Sequence, residues 1–318
     1  MGLYRRENGG WNMIKNQLGK SDIYVSALTL GCMSIGTDAK QASYIIDQAL
    51  DTGINHLDTA DLYNFGENEQ IVGKAIQGKR AQVVLTSKVG NHFNKEKNDW
   101  YWDPSKAHIK NGLKDSLHRL QTNYLDFYML HGGTIEDPID ESIEAFEELK
   151  KEGLIRAYGI SSIRPNVIRE YVEKSSIDAV MMQYNLLDRR PEEEMLDLLH
   201  ANEISVFTRG PLAKGMLSKH GKKQIEKKGQ GGYLDYSQKE LFAIFDNISN
   251  QFTSETSCNE IALKYVLKHP AVASAVFGAS SSEQVKENTD FDHAKALTNE
   301  TYLAIQQLTK PIKYTDHR

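Results

Sequence analysis

Eight short apolar runs, separated by stretches of helical periodicity, limit most tightly what this chain can fold into. The runs are Ala27–Met33, His56–Asp61, Val83–Val89, Tyr124–His131, Ile155–Ser161, Ala179–Asn185, Ser205–Gly210 and Val272–Gly278. Between them lie helical patterns such as Ala42–Thr52, Glu141–Glu152 and Pro165–Lys174, with Gly53 and Gly153 just past two of their ends. Strands joined through crossover helices pair in parallel. Eight such units in about 250 residues predict an α/β fold of the closed (β/α)8 type, the TIM barrel, with an open doubly wound sheet as the rival. Asp103 and Pro104 predict the start of a further helix running to about Leu120, as N-cap and first helical residue.

The length admits two ordinary domains or one α/β barrel, the barrel pattern makes residues 1–318 a single domain, and composition excludes several classes of function. The 38 Lys+Arg against 43 Asp+Glu leave a net charge of −5, the wrong sign for a dominant nucleic-acid surface. Two cysteines, Cys32 and Cys258, cannot build a disulfide framework or a four-cysteine metal site, and suit a reducing cytoplasm. No His-x-x-x-His or Cys–His spacing suggests a metal, so none is expected. No stretch approaches the ~18 apolar residues of a membrane span. The first residues lack the apolar run of a secretory signal and read as an N-terminal arm, residues 1–14. Residues 218–236 are rich in Lys and Gly and are expected to be a mobile loop, either a lid or a solvated insertion. Added helices are expected at Tyr236–Phe252 and in a C-terminal helix and tail over 298–318.

Polar residues close the apolar runs. Asp58, Lys88, His131, Ser161, Gln183, Arg209 and Gly278 stand at predicted C-terminal strand ends, the face on which barrel enzymes carry their chemistry. A strand passing into a polar loop would account for any one of them, but poorly for all seven. Asp58 and Lys88 are expected to pair, because a lone buried charge is costly. Tyr63 follows in the next loop. An adjacent ammonium should lower its pKa from about 10 and make it a proton donor. His131 would hydrogen-bond a carbonyl oxygen. An acid without a nucleophile suggests carbonyl reduction, and the hydride must then come from a cofactor. Gly-x-Gly-x-x-Gly and Walker patterns are absent, so the cofactor would lie across the barrel mouth. His56, on the same strand face as Asp58, reads as barrel filling, and Cys32 as a small buried residue.

The segments NHLDTADLY (Asn55–Tyr63), LTSKV (Leu85–Val89), YMLHGG (Tyr128–Gly133), YGISS (Tyr158–Ser162), QYNLLDRR (Gln183–Arg190) and GPLAKGML (Gly210–Leu217) resemble, in order, the signatures of the aldo-keto reductases. The resemblance runs from about Lys15 to Lys310 and looks closest to a bacterial branch of that family. It implies a barrel that binds NADP(H) in an extended pose and reduces an aldehyde or ketone. Tyr63 would be the general acid, Lys88 and Asp58 the pair that tunes it, and His131 the group that orients the substrate. Ser161, Ser162 and Gln183 match positions that hold the nicotinamide carboxamide. Arg209 stands where many relatives stack a Tyr on the nicotinamide; it would stack there or reach the pyrophosphate. Gly210, Pro211, Leu212, Lys214 and Gly215 match the loop around the pyrophosphate. Gly278 and Ser280 match the phosphate end of the adenosine motif, and Gln284 and Asn288 the adenine contacts. Related sequences often carry Lys or Arg where this chain has Ser281, so NAD(H) stays open as the cofactor.

The partner expected is a small carbonyl compound, with no nucleic acid and no membrane; the oligomeric state is open. The resemblance also admits a nicotinamide-binding, redox-sensing partner subunit with little turnover. Trp100, Tyr101 and Trp102, in the loop His92–Pro104, would either wall the substrate side or pack the loop onto the barrel. Gly132 and Gly133 would either leave space beside His131 or permit a turn.

Overall fold

The structure, a computed structural model, describes residues 11–252 and 256–318. Most of the proposed arm, residues 1–10, lies outside them. Twelve strands follow in chain order: β1 (Lys15–Gln17), β2 (Tyr24–Ser26), β3 (Leu28–Gly31), β4 (His56–Asp58), β5 (Val84–Val89), β6 (Asn91–Asn94), β7 (Asp99–Trp102), β8 (Leu125–Leu130), β9 (Ile155–Ser161), β10 (Ala179–Gln183), β11 (Ser205–Arg209) and β12 (Val272–Gly278). Eight of them close a parallel barrel in the order β10-β11-β12-β3-β4-β5-β8-β9. These are the eight apolar runs of the sequence. The (β/α)8 expectation holds, and the open sheet is excluded by the pairing of β10 with β9.

The helices are α1 (Ala39–Asp51), α2 (Glu67–Ala75), α3 (Lys106–Leu120), α4 (Ile139–Lys151), α5 (Pro165–Lys174), α6 (Met195–Ala201), α7 (Gly221–Lys228), α8 (Gln238–Phe252), α9 (Cys258–Val266), α10 (Ser282–Thr289) and α11 (Asn299–Leu308). The crossover helices turn an apolar face inward; in α4, which packs on β9, that face is Ile139, Ala145, Phe146 and Leu149. Among the described residues no helix is long and apolar enough to cross a membrane. Inside the barrel a second cluster packs Val84, Phe127, Met129, Ala157, Met181 and Phe207 with Leu18, Ile23 and Val25 of the β1–β2 hairpin. That hairpin is fastened at the N-terminal ends of the strands: the Asn16 amide donates to the Ala273 carbonyl at 2.8 Å, and the Gly19 N–H to Ser205 Oγ at 2.8 Å. It thus closes the end opposite the polar strand termini, leaving one open mouth.

Three local expectations need correction. Residues 218–236 are not an extended loop. Gly221–Lys228 forms α7, which buries Ile225 and seats Gly221 against the Phe245 ring of α8. The helix expected to open at Pro104 begins at Lys106, capped by the Ser105 hydroxyl, while Asp103 accepts from the Ser105 N–H. The aromatic loop after the third barrel strand is the two-stranded hairpin β6–β7, with His92 opposite Tyr101 and Phe93 opposite Trp100.

Candidate active site

A single cleft of about 980 Å³ opens at the C-terminal ends of the barrel strands. Every residue named above for proton transfer or for cofactor binding lines it. Asp58 and Lys88 come from neighbouring strands β4 and β5. The Lys88 ammonium is fully buried and has three donors to place. One reaches the Asp58 carboxylate at 2.8 Å, one the Thr59 carbonyl at 2.7 Å, and one the Tyr63 hydroxyl at 3.4 Å. An ammonium has no lone pair, so the phenol oxygen accepts in that contact. The phenol keeps its own hydrogen to donate, and Tyr63 lines the cleft.

Tyr63 opens the turn Tyr63–Gly66, which leads into α2. Two buried residues of α2 hold that turn in place. Asn68 accepts from the Thr59 hydroxyl at 2.6 Å and donates to the Cys32 carbonyl at 2.8 Å. Glu69 accepts from Arg119 of α3 at 2.6 Å and from the Ser87 hydroxyl of β5 at 2.5 Å. The turn that carries Tyr63 is therefore tied to the residues just after β3 and β4, to β5 and to α3.

The pKa expected for Tyr63 has the wrong sign. Burial raises it, and the nearby Lys88 charge offsets this only in part. Lys88 already faces Asp58, so little of its field is left to favour a phenolate. Lys88 is itself raised by Asp58 and Tyr63 despite its burial. Asp58 is raised, because burial outweighs the ammonium beside it. His131, whose backbone N–H donates to the Val89 carbonyl at 2.7 Å, stands with its ring 5.8 Å from that of Tyr63 and at 80° to it. Burial, with Lys88 and Arg209 adding to it, pushes this imidazole down to about 3, so it is neutral at neutral pH. Its Nδ1 is buried without a hydrogen-bond partner.

The segment Gln183–Arg190 is a fixed polar frame. The Arg209 guanidinium donates to Gln183 Oε1 at 2.9 Å, and the Gln183 amide donates to Asp188 at 2.9 Å and to the Tyr233 hydroxyl at 3.3 Å. Asp188 is fully buried and held by both Nε and Nη2 of Arg190 at 2.7 Å. Asn185 donates to the Gly210 carbonyl at 3.0 Å and so ties this frame to the Gly210–Gly215 loop. Sequence reasoning named Gln183 and Arg209 but missed Asn185, Asp188, Arg190 and Tyr233, which hold them. It also missed Gln224 and Lys228 of α7, which line the cleft. The lysine-rich composition of that stretch was the available signal. The Lys228 ammonium donates to the Lys214 carbonyl at 3.0 Å, which binds α7 to the same loop.

At the far end, Ser281 caps α10 by accepting from the Gln284 N–H at 3.3 Å. The Gln284 side chain folds back to accept from the Ser280 N–H at 2.8 Å. Asn288 is buried and accepts from Asn259 at 2.5 Å. Ser162 accepts from the Arg164 N–H at 3.1 Å, which keeps its own hydroxyl hydrogen available. The residues present suit a dinucleotide. The cleft has the volume of a cofactor site. Gly210, at φ +67, has open space where a side chain would stand, Lys214 offers a cation, and the start of α10 offers backbone donors to a phosphate.

Beside His131, Trp102 takes the space that the glycines were expected to leave. Its ring lies over Gly90 and Gly132, where an added Cβ would come within 2.5 Å and 3.3 Å of it. Its indole N–H is held by both oxygens of Asp137, at 3.0 and 3.1 Å. Trp100 and Tyr101 stay more than half exposed, at 52% and 58%.

The profile of the aldo/keto reductase family matches residues 27–310. The chain is 53% identical over 307 residues to the uncharacterized oxidoreductase YqkF of Bacillus subtilis, covering 96% of this chain and 100% of that protein. This chain belongs to the aldo/keto reductase family. Another member, the NADH-specific methylglyoxal reductase of Escherichia coli, is 33% identical, with 87% of this chain and 92% of that one aligned. Among solved aldo-keto reductases, AKR11C1 from Bacillus halodurans in its holo form superposes with a TM-score of 0.90 at 53% identity, over 96% of this chain and 100% of that one. Membership makes the protein an oxidoreductase of a family that binds nicotinamide cofactors.

Proposed function

We propose that this protein reduces the carbonyl group of an aldehyde or ketone with NADPH, and that Tyr63 is the general acid. The observation that carries this reading is the state of the Tyr63 hydroxyl. It accepts from Lys88, is kept protonated by burial, and faces the cleft beside a neutral His131. NADPH, when bound, supplies the hydride. The chain's own residues handle the proton and the polarity. The Tyr63 O–H donates its proton to the carbonyl oxygen as that oxygen becomes an alkoxide, and the Lys88 ammonium stabilises the phenolate left behind. Asp58 keeps Lys88 aimed. A neutral imidazole at His131 hydrogen-bonds the same oxygen without adding a charge. Ser161, Ser162 and Gln183 are proposed to hold the carboxamide, the Gly210–Gly215 loop and Lys214 the pyrophosphate, and Ser280, Gln284 and Asn288 the adenosine end.

Lys214, His220 and Lys228 line the cleft and favour an added phosphate; Glu287 lines it too, paired with Lys219. Fluorescence titration with NADPH and with NADH reads this balance, and tighter NADPH binding is expected. Tyr63→Phe should lower turnover by about 10²–10⁴-fold, with the affinity for NADPH kept within about twofold. The assay is a carbonyl panel that includes methylglyoxal and aromatic aldehydes. Normal turnover in that variant refutes the assigned acid. Absence of turnover across the panel in the parent protein, with NADPH still bound, favours a regulatory subunit instead.

A further inference from the structure

We propose that His92, Asp103 and His108 form a binding site for a divalent cation of the zinc class, at the base of the β6–β7 hairpin and outside the cleft. No spacing in the sequence announces it, because the first and last of these residues are brought together only by the hairpin. One ligand atom from each of the three lies within 4.8 Å of the others. His92 Nδ1 is 3.5 Å from Asp103 Oδ2, and the His92 and His108 ring centres are 4.9 Å apart. Two imidazoles on one tetrahedral zinc ion, each bonded at about 2.0–2.1 Å, have ring centres about 5 Å apart. The ring centres already stand near that separation, but the planes stack at 16° to each other, so the half-exposed His92 ring must turn for both nitrogens to face one ion.

Two of the three ligands are fixed by the cap of α3. The His108 N–H donates to the Ser105 hydroxyl at 3.2 Å, and Asp103 Oδ1 accepts from the Ser105 N–H at 3.1 Å, so Oδ2 is left for another partner. The third arrives through the hairpin register, which sets His92 opposite Tyr101 and stacks their rings at 4.8 Å. His108 Nε2 is buried and has no hydrogen-bond partner, a state that buried polar atoms rarely keep.

Two imidazole nitrogens and one carboxylate suit zinc, cobalt or nickel. Calcium and magnesium call for oxygen ligands throughout. Water would complete the coordination, since His92 is half-exposed. A bound ion would clamp the hairpin to the start of α3, and with it Trp102 over Gly90 and Gly132.

The test is calorimetric titration of the full chain with Zn²⁺, with Co²⁺ as a spectroscopic probe of nitrogen coordination. His92→Ala and Asp103→Asn are the variants. His92 is half-exposed, and Asn can still accept from Ser105, so both should fold. One equivalent of Zn²⁺ should bind the parent, and each variant should bind it roughly tenfold more weakly or worse. Cobalt should give the visible bands of a low-coordinate site in the parent and lose them in both variants. No saturable binding in the parent, or binding of equal strength in His92→Ala, overturns the proposal.

Discussion

The Tyr63 hydroxyl is kept protonated by its surroundings, and this fixes the expected pH dependence. A general acid must carry its proton, and burial raises Tyr63. Reduction should therefore persist through pH 9 and fall only where a raised phenol ionises. His131, held near 3, is neutral throughout and should give no acid limb near its ordinary pKa of about 6.5. We expect kcat/KM for reduction to be level between pH 6 and 9. An inflection near pH 6.5 that disappears in His131→Gln would mean that the imidazole titrates and that its assigned neutral role is wrong. The identities of Asp58, Tyr63, Lys88 and His131 were legible, because each closes or follows a strand. The direction of the Tyr63 shift was not. It depends on how deeply the fold buries the phenol, with Lys88 lowering it and Asp58 raising it further, and burial is decided by the tertiary structure.

Elements with weak sequence patterns turn out to be a helix and a hairpin, each held by a few apolar contacts, and one of them, α7, lines the cleft. The segment GKKQIEKK of α7 has one apolar residue, so its composition reads as solvated chain; the helix is held by Ile225 and by Gly221 under Phe245. The β6–β7 hairpin is similar, since only Trp102 of its three adjacent aromatics turns onto the barrel. Trp102 spans the glycines that follow Lys88 and His131, and Asp137 fixes its N–H. Trp102→Ala should destabilise the fold by about 2–3 kcal/mol and raise KM for the carbonyl substrate. Trp102→Phe keeps a ring but not the bond to Asp137, so its effect should be smaller. Denaturant melts and steady-state kinetics on both variants check the order. Equal effects would show that the Asp137 bond, rather than the ring, does the holding.

At the scale of the whole barrel, a buried polar chain joins four strands. Ser274 of β12 bonds Thr29 of β3 at 2.6 Å, Thr29 bonds His56 Nδ1 of β4 at 2.7 Å, and His56 Nε2 bonds Thr86 of β5 at 2.7 Å. Burial, aided by Lys88, pushes His56 down to about 3. In the unfolded chain it returns to its ordinary value, so between these two values the unfolded state binds the extra proton. The resulting stability is complete above about pH 6.5 and is lost as the pH falls toward 3. The loss is on the order of a few kcal/mol, and His131 adds in the same direction. Urea unfolding at pH 7.5 and pH 5 should give clearly lower stability at the acid value, and His56→Gln should reduce the difference. An unchanged difference would mean that this buried histidine contributes nothing to acid sensitivity.

Alternation of apolar runs and helical patterns was enough, on the sequence alone, to determine the eight strands, their parallel pairing and the face that carries polar termini, because strand and helix periods are local properties of the chain. Asp58, Lys88, His131, Ser161, Gln183, Arg209 and Gly278 were legible for the same reason, at or beside strand ends, whereas Ser162, the Gly210–Gly215 loop, Ser280, Gln284 and Asn288 were named through the family resemblance. Tertiary structure alone decided which groups meet. It brought Arg190 to Asp188 beneath Gln183, Trp102 onto Gly132, the β1–β2 hairpin into the closed end of the barrel, and His92 beside His108. Contacts of this kind depend on distances across the fold, and charge, burial and hydrogen bonding act over those distances rather than along the sequence.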